Sequence, residues 1–72
     1  MEEYDVVRVV KLVKPNREFD GSEGVKRAPQ VGDTGTIVHV YPTGKDFIIE
    51  AVAKDGSTIW LADFSSEELE KI

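Results

Sequence analysis

Residues 34–41, Thr-Gly-Thr-Ile-Val-His-Val-Tyr, are the most strand-like run in the chain. They are rich in β-branched residues and follow Val31-Gly32-Asp33, where a glycine lets the backbone bend sharply before the strand begins. Residues 46–53 form a second block. Its alternation puts Phe47, Ile49 and Ala51 on an inward face and Glu50 outward. Residues 58–64 form a third block. If Ile59 and Leu61 face the core there, Trp60 points the other way and lies at least partly on the surface. Short turns join the blocks. Pro42-Thr43-Gly44-Lys45 reads as a tight turn, and Lys54-Asp55-Gly56-Ser57 as a hairpin, since Asp-Gly suits a type I′ turn.

The ends are patterned less cleanly. Residues 4–13 hold five valines, but polar residues fall at every third place, at Asp5, Arg8, Lys11 and Lys14. That spacing would also suit a helix with Val6, Val9, Val10 and Val13 on one side. A β-branched run makes a poor helix, so a strand over 4–13 is expected, bent or bulged enough to bury residues from both faces. Residues 14–30 then form a long connection punctuated by Pro15, Asp20-Gly21-Ser22, Gly24 and Pro29. Phe19 and Val25 are its large apolar residues and the expected pins to the body of the domain. Near the C-terminus, Ser65 with Glu68 three residues later reads as a capping box. Phe64 and Leu69 flank it as a hydrophobic staple. One helical turn is too short to stand alone, so Leu69 must dock, and residues 70–72 are expected to pair with the first strand.

The order is therefore strand, long loop, three-stranded meander, helical turn, short last strand. This predicts an all-β single domain over residues 1–72, a small SH3-like barrel of about five strands with a long first loop. An OB-fold is the alternative, but its long strands and larger helix suit 72 residues less well.

Composition narrows what such a domain can do. No cysteine is present, so disulfide staples and thiolate metal sites are excluded. The longest apolar runs span only a few residues, far short of the roughly 20 that a membrane helix needs. No apolar signal core follows the acidic start, and a cytoplasmic location is the expectation. The net charge is −5 and is unevenly spread. Residues 1–30 hold six acids and six bases; residues 31–72 hold eight acids and three lysines. That balance opposes phosphate binding, which needs clustered Lys and Arg, and favours a basic protein partner or simple solubility.

Several blocks together resemble a known family. Tyr4-Asp5-Val6-Val7-Arg8, Gly32-Asp33-Thr34-Gly35-Thr36-Ile37-Val38-His39-Val40-Tyr41, Asp55-Gly56 and Glu67-Glu68-Leu69 are similar in order and spacing to a small bacterial family filed as domain of unknown function 4926. The resemblance implies an SH3-like barrel with no established activity. It suggests an antitoxin or immunity role, the neutralising of a neighbouring toxin-like protein. The chain departs from the family pattern at Ile49-Glu50-Ala51, where a Val-Glu-Phe type strand is usual, and in a longer, more charged first loop. Gly32-Asp33-Thr34-Gly35-Thr36-Ile37 also resembles the turn and strand of ribosomal KOW modules.

Residues that could carry chemistry are few. His39 is the single histidine, and no spacing places a carboxylate and a nucleophile beside it, so catalysis is not expected. One histidine and no cysteine make no zinc site. Gly44-Lys45 lacks the rest of a phosphate loop, and residues 20–24 are too short for a calcium loop of the EF-hand type. No cofactor is expected. The function expected is non-enzymatic binding of a protein, in its sharper form as an antitoxin-like or immunity-like domain meeting a basic, toxin-like partner. Its contacts would be Trp60, Tyr41, His39, Asp63 and Glu50. The alternative is a KOW-like nucleic-acid-binding module using Lys14, Arg17, Lys26 and Arg27 of the long loop, whose field Glu18, Asp20 and Glu23 largely cancel. An exposed Trp60 or a free sheet edge could also drive self-association.

Overall fold

The computed structural model describes residues 1–72. Five strands are present: β1 (Val6–Val9), β2 (Thr34–Val40), β3 (Asp46–Val52), β4 (Thr58–Ser65) and β5 (Leu69–Lys71), with a 3-10 turn at Ser66–Glu68 between the last two. They form one antiparallel sheet in the order β4-β3-β2-β1-β5. The three central blocks fall where the patterning puts them, and β5 pairs with β1 as expected.

One face of the sheet is the core. Val7 and Val9, Ile37, Phe47, Ile49 and Ala51, Trp60, Ala62 and Phe64, and Leu69 are all buried, and Phe19 of the long loop packs against them. β3 keeps the predicted alternation. β4 takes the opposite phase from the one that exposes Trp60. Trp60 pairs with Ala51 and Phe64 with Phe47, so the three largest side chains of the two strands share the inner face. Trp60 is wholly buried as a result, the outward place goes to Leu61, and Ile59, the extra residue where the β3–β4 register shifts, packs partly against the core. Burying the indole removes more apolar area than burying either smaller neighbour, which sets the phase.

The first strand is shorter than expected. β1 ends at Val9 because the next backbone groups turn to another partner: the N–H groups of Val10 and Lys11 donate to the Glu68 carbonyl at 2.7 and 3.4 Å. Val25, expected to pin the long loop, is exposed. The Asp55-Gly56 hairpin is not a type I′ turn. Gly56 is left-handed at φ 89 but Asp55 is not, and Ala53 accepts from the Gly56 N–H at 3.0 Å while donating to Ser57 at 2.8 Å. This is a three-residue loop with a type I turn and a glycine bulge.

The expected barrel does not close. β4 and β5 are the two edges of an open sheet, and no ladder joins them. The long loop occupies much of the β4 edge instead. Asp20 and Leu61 exchange both backbone hydrogen bonds at 3.0 and 2.8 Å, Ser22 donates to Thr58 at 2.8 Å, and Arg27 donates to Ile59 at 3.2 Å. This covering occupies most of the β4 edge and leaves β5 as the other edge of the sheet.

Two glycines in the turn before β2 have different causes. Gly32 sits at φ 96, a left-handed conformation that suits glycine. Gly35 is needed for space: a Cβ there would lie 2.7 Å from Ile49 Cγ2 and 2.8 Å from the Glu50 carbonyl oxygen. Gly35→Ala is expected to push β2 from β3 and cost about 1–3 kcal/mol, read as a lowered midpoint in thermal unfolding. An unchanged midpoint would show that the two strands separate freely at this point.

Candidate functional site

Two carboxylates, one half-buried and one buried, fix the long loop, and the surface they leave free is the candidate site. The first is Asp33, at the turn before β2. Its carboxylate accepts from both terminal nitrogens of Arg27 at 2.8 and 3.0 Å, from the Gln30 backbone at 2.9 Å, and from Trp60 Nε1 at 2.9 Å. Burial pushes the carboxyl up, but the Arg27 guanidinium and the two further N–H donors outweigh it and hold it below its usual range. A buried indole needs an acceptor for its N–H, and Asp33 supplies it.

The second carboxylate, Glu68, is wholly buried. One oxygen accepts from the Ser65 N–H at 2.9 Å and the Ser65 hydroxyl at 3.2 Å. The other accepts from the Val13 N–H at 3.0 Å and forms an ion pair with Arg17, whose side chain is 6% exposed. The Arg17 guanidinium also lies over the Phe64 ring, 4.0 Å from its centroid. Burial is the strongest influence on this carboxyl and pushes it up. Arg17 and the N–H groups of Ser65 and Val13 together reverse that and hold it low. The capping-box spacing marks Glu68 in the sequence, but nothing local links it to a residue 51 positions away.

A bulge brings the polar outer face together. Ile37 pairs with Ile49 but His39, not Val38, pairs with Ile48, so Val38 is the extra residue. The extra residue inverts the phase of β2, turning His39 and then Tyr41 outward onto the face that carries Asp63. The His39 and Tyr41 rings meet edge to face with centroids 5.0 Å apart. Tyr41 donates its hydroxyl to Asp63 Oδ1 at 3.0 Å, and this bond to a carboxylate raises the phenol above its usual range. Asp63 separates two open clefts. One, about 570 Å³, lies between residues 17–20 and the β4 residues 61–63, with Ile48 beside them. The other, about 540 Å³, is lined by Lys14, residues 41–43, Asp46 and residues 63–65. Glu18, Asp20, Asp46 and Asp63 make these rims acidic, with Lys14 the free cation among them.

Of the expected partner contacts, His39, Tyr41 and Asp63 are therefore neighbours. Glu50 lies on the same outer face but its carboxylate accepts from the Thr58 hydroxyl at 2.7 Å. Trp60 offers no surface to a partner. The four cations considered for nucleic acid do not form a patch. Arg17 is committed to Glu68 and Arg27 to Asp33, which leaves Lys14 and Lys26 free. No three His, Asp or Glu side chains converge as metal ligands do. No helix is long and apolar enough to cross a membrane. Comparison with curated proteins and with solved structures finds no match. The resemblance read from the strand and turn blocks is a true kinship: residues 3–71 match the family described as a domain of unknown function, DUF4926, and the chain belongs to it.

Proposed function

We propose that this chain is a non-enzymatic protein-binding domain of SH3-like architecture, left open between β4 and β5, whose acidic outer face meets a basic partner. The strand order, the long first loop and the 3-10 turn before a last strand paired with β1 support the architecture. The observation that carries the function is how the charges are spent. Arg8, Lys11, Arg17, Arg27 and Lys71 all face carboxylates of this chain, which leaves Lys14, Lys26, Lys45 and Lys54 as the unpaired side-chain cations. Glu18, Asp20, Asp46 and Asp63 have no cation and line the two clefts around Tyr41. A surface of one sign steers an oppositely charged partner and raises its on-rate. An antitoxin-like or immunity-like role, covering the basic surface of a toxin-like protein, is the form of this function that the family resemblance suggests.

The test is kinetic. A basic partner captured from the native source is expected to associate more slowly as salt rises, and Asp20→Asn, Asp46→Asn and Asp63→Asn together are expected to slow it at low salt. An on-rate indifferent to salt and to these changes overturns the reading. Retention of RNA at low salt, reduced by replacing Lys14 and Lys26, would favour the nucleic-acid alternative.

A further inference from the structure

The β4 edge is covered except at one place. The backbone bonds of Leu61 to Asp20 run out of the sheet, and so does the bond of the Ser65 N–H to Glu68. Outward-pointing backbone groups alternate along a strand, so the N–H and C=O of Asp63, midway between those two residues, also point out of the sheet. Asp63 is exposed, and neither the long loop nor the Glu68 side chain bonds to its backbone. The same gap opens on the cleft that Arg17 lines. Arg17 is more than nine-tenths buried, yet its Nε and Nη1 have no acceptor, because Glu68 engages only Nη2. Both idle nitrogens are shielded from solvent, so they belong to the packing beneath the cleft and not to its open face. The rim is acidic at Glu18, Asp20 and Asp63, which disfavours an anion there and selects a cationic occupant.

We infer that this cleft is a slot for a short extended segment of a basic protein, added to the β4 edge at Asp63. One residue of the segment exchanges both main-chain hydrogen bonds with Asp63, as in an antiparallel pair. That residue is a Lys or Arg, and its side chain lies on the face of Asp63 and of Asp20, which pairs with Leu61, because directly opposed residues share a face of the sheet. The inference rests on the acidic-face reading above and deepens it by naming what the partner presents: strand-forming backbone with cationic side chains. The gap is one residue pair wide, closed on one side by Asp20 and on the other by Glu68, so it fits a short segment and not a long strand.

The test uses probes and a rim variant. The probe is the capped peptide acetyl-Gly-Val-Arg-Val-Gly-amide, titrated into the full chain carrying ¹⁵N. The controls are the same peptide N-methylated at its arginine, and spermine, which is cationic but has no peptide groups. The peptide is expected to shift the Asp63 amide and to slow its exchange. N-methylation and Asp63→Asn are each expected to weaken binding about tenfold. If the peptide and spermine perturb the carboxylates alike while the Asp63 amide stays still, the slot is overturned and the acidic face survives. If no cationic probe perturbs this face, both readings fall.

Discussion

Glu68→Gln is expected to bring the domain to the edge of unfolding at neutral pH. The side chain is wholly buried and accepts from Ser65, Val13 and Arg17. An amide keeps one acceptor oxygen but removes the charge that balances a guanidinium 6% exposed. Breaking a buried pair from one side costs about 3–5 kcal/mol, because the other charge stays buried and unpaired. A domain of this size has roughly 4–11 kcal/mol in all. The double change Arg17→Met with Glu68→Gln is expected to recover part of the loss, since it removes both charges and leaves Phe64 an apolar neighbour. Urea unfolding followed by the emission of the single tryptophan measures all three proteins. Equal stability of the single and double variants would mean that Arg17 reaches water when Glu68 is neutral.

Glu68 also takes part in the response to acid. Glu68, Asp33 and Asp55 are all held below the usual carboxylate range in the folded chain. A carboxyl depressed on folding contributes stability that is fully present above its unfolded pKa, about 4, and is lost as pH falls from there through the folded value. Stability should therefore be flat near neutrality and drop below about pH 4, and less steeply in Glu68→Gln, which lacks one of the three groups. A profile for the variant as steep as the parent's would remove Glu68 from the account.

Trp60→Ala is expected to cost about 3–5 kcal/mol, the range for deleting a large aromatic from a packed core. Trp60 is wholly buried, and its ring lies 5.3 Å from that of Phe64. The change also takes one donor from Asp33, which ties Arg27 and Gln30 to the turn before β2. Trp60→Phe separates the two effects. It keeps most of the packing and removes the bond from Nε1, so about 1–2 kcal/mol of the loss should remain. Circular dichroism through a urea titration is the measure, because neither variant has a tryptophan to report. A Trp60→Phe variant as stable as the parent would mean that the Asp33 bond carries no net weight.

What the sequence disclosed follows the reach of each signal. The β2, β3 and β4 blocks and their turns are written in alternation and punctuation, and they were legible. So was the Ser65–Glu68 spacing, because a capping box is local. The phase of β4 was not, since Ile59-Trp60-Leu61 is apolar at three successive places and either face could be inward. The β2 bulge was equally hidden. Nothing in Ile37-Val38-His39 marks Val38 as the extra residue, yet that residue decides that His39 and Tyr41 join Asp63. Arg17 and Arg27 looked like free cations because their partners, Glu68 and Asp33, are identified only by the folded chain. The failure of the barrel to close has the same origin: which segment takes the β4 edge is settled by the path of residues 14–30, the stretch with least periodicity.

The fastening of the long loop also bears on the order in which the molecule can assemble. Arg17 and Glu68 are separated by 51 positions, and the ladder of β1 with β5 joins Arg8 to Glu70. These closures pair the beginning of the chain with its last few residues. A chain leaving the ribosome cannot make them until residues 68–71 have emerged, so the meander of β2, β3 and β4 is the part free to form first. Contacts of such long sequence separation demand loop closure before they give anything back, and domains dominated by them fold in milliseconds to seconds, not microseconds. Until Glu68 arrives, Val10, Lys11, Val13 and Arg17 lack the partner that fastens them, and residues 10–17 are the last part of the chain to be made safe from proteases.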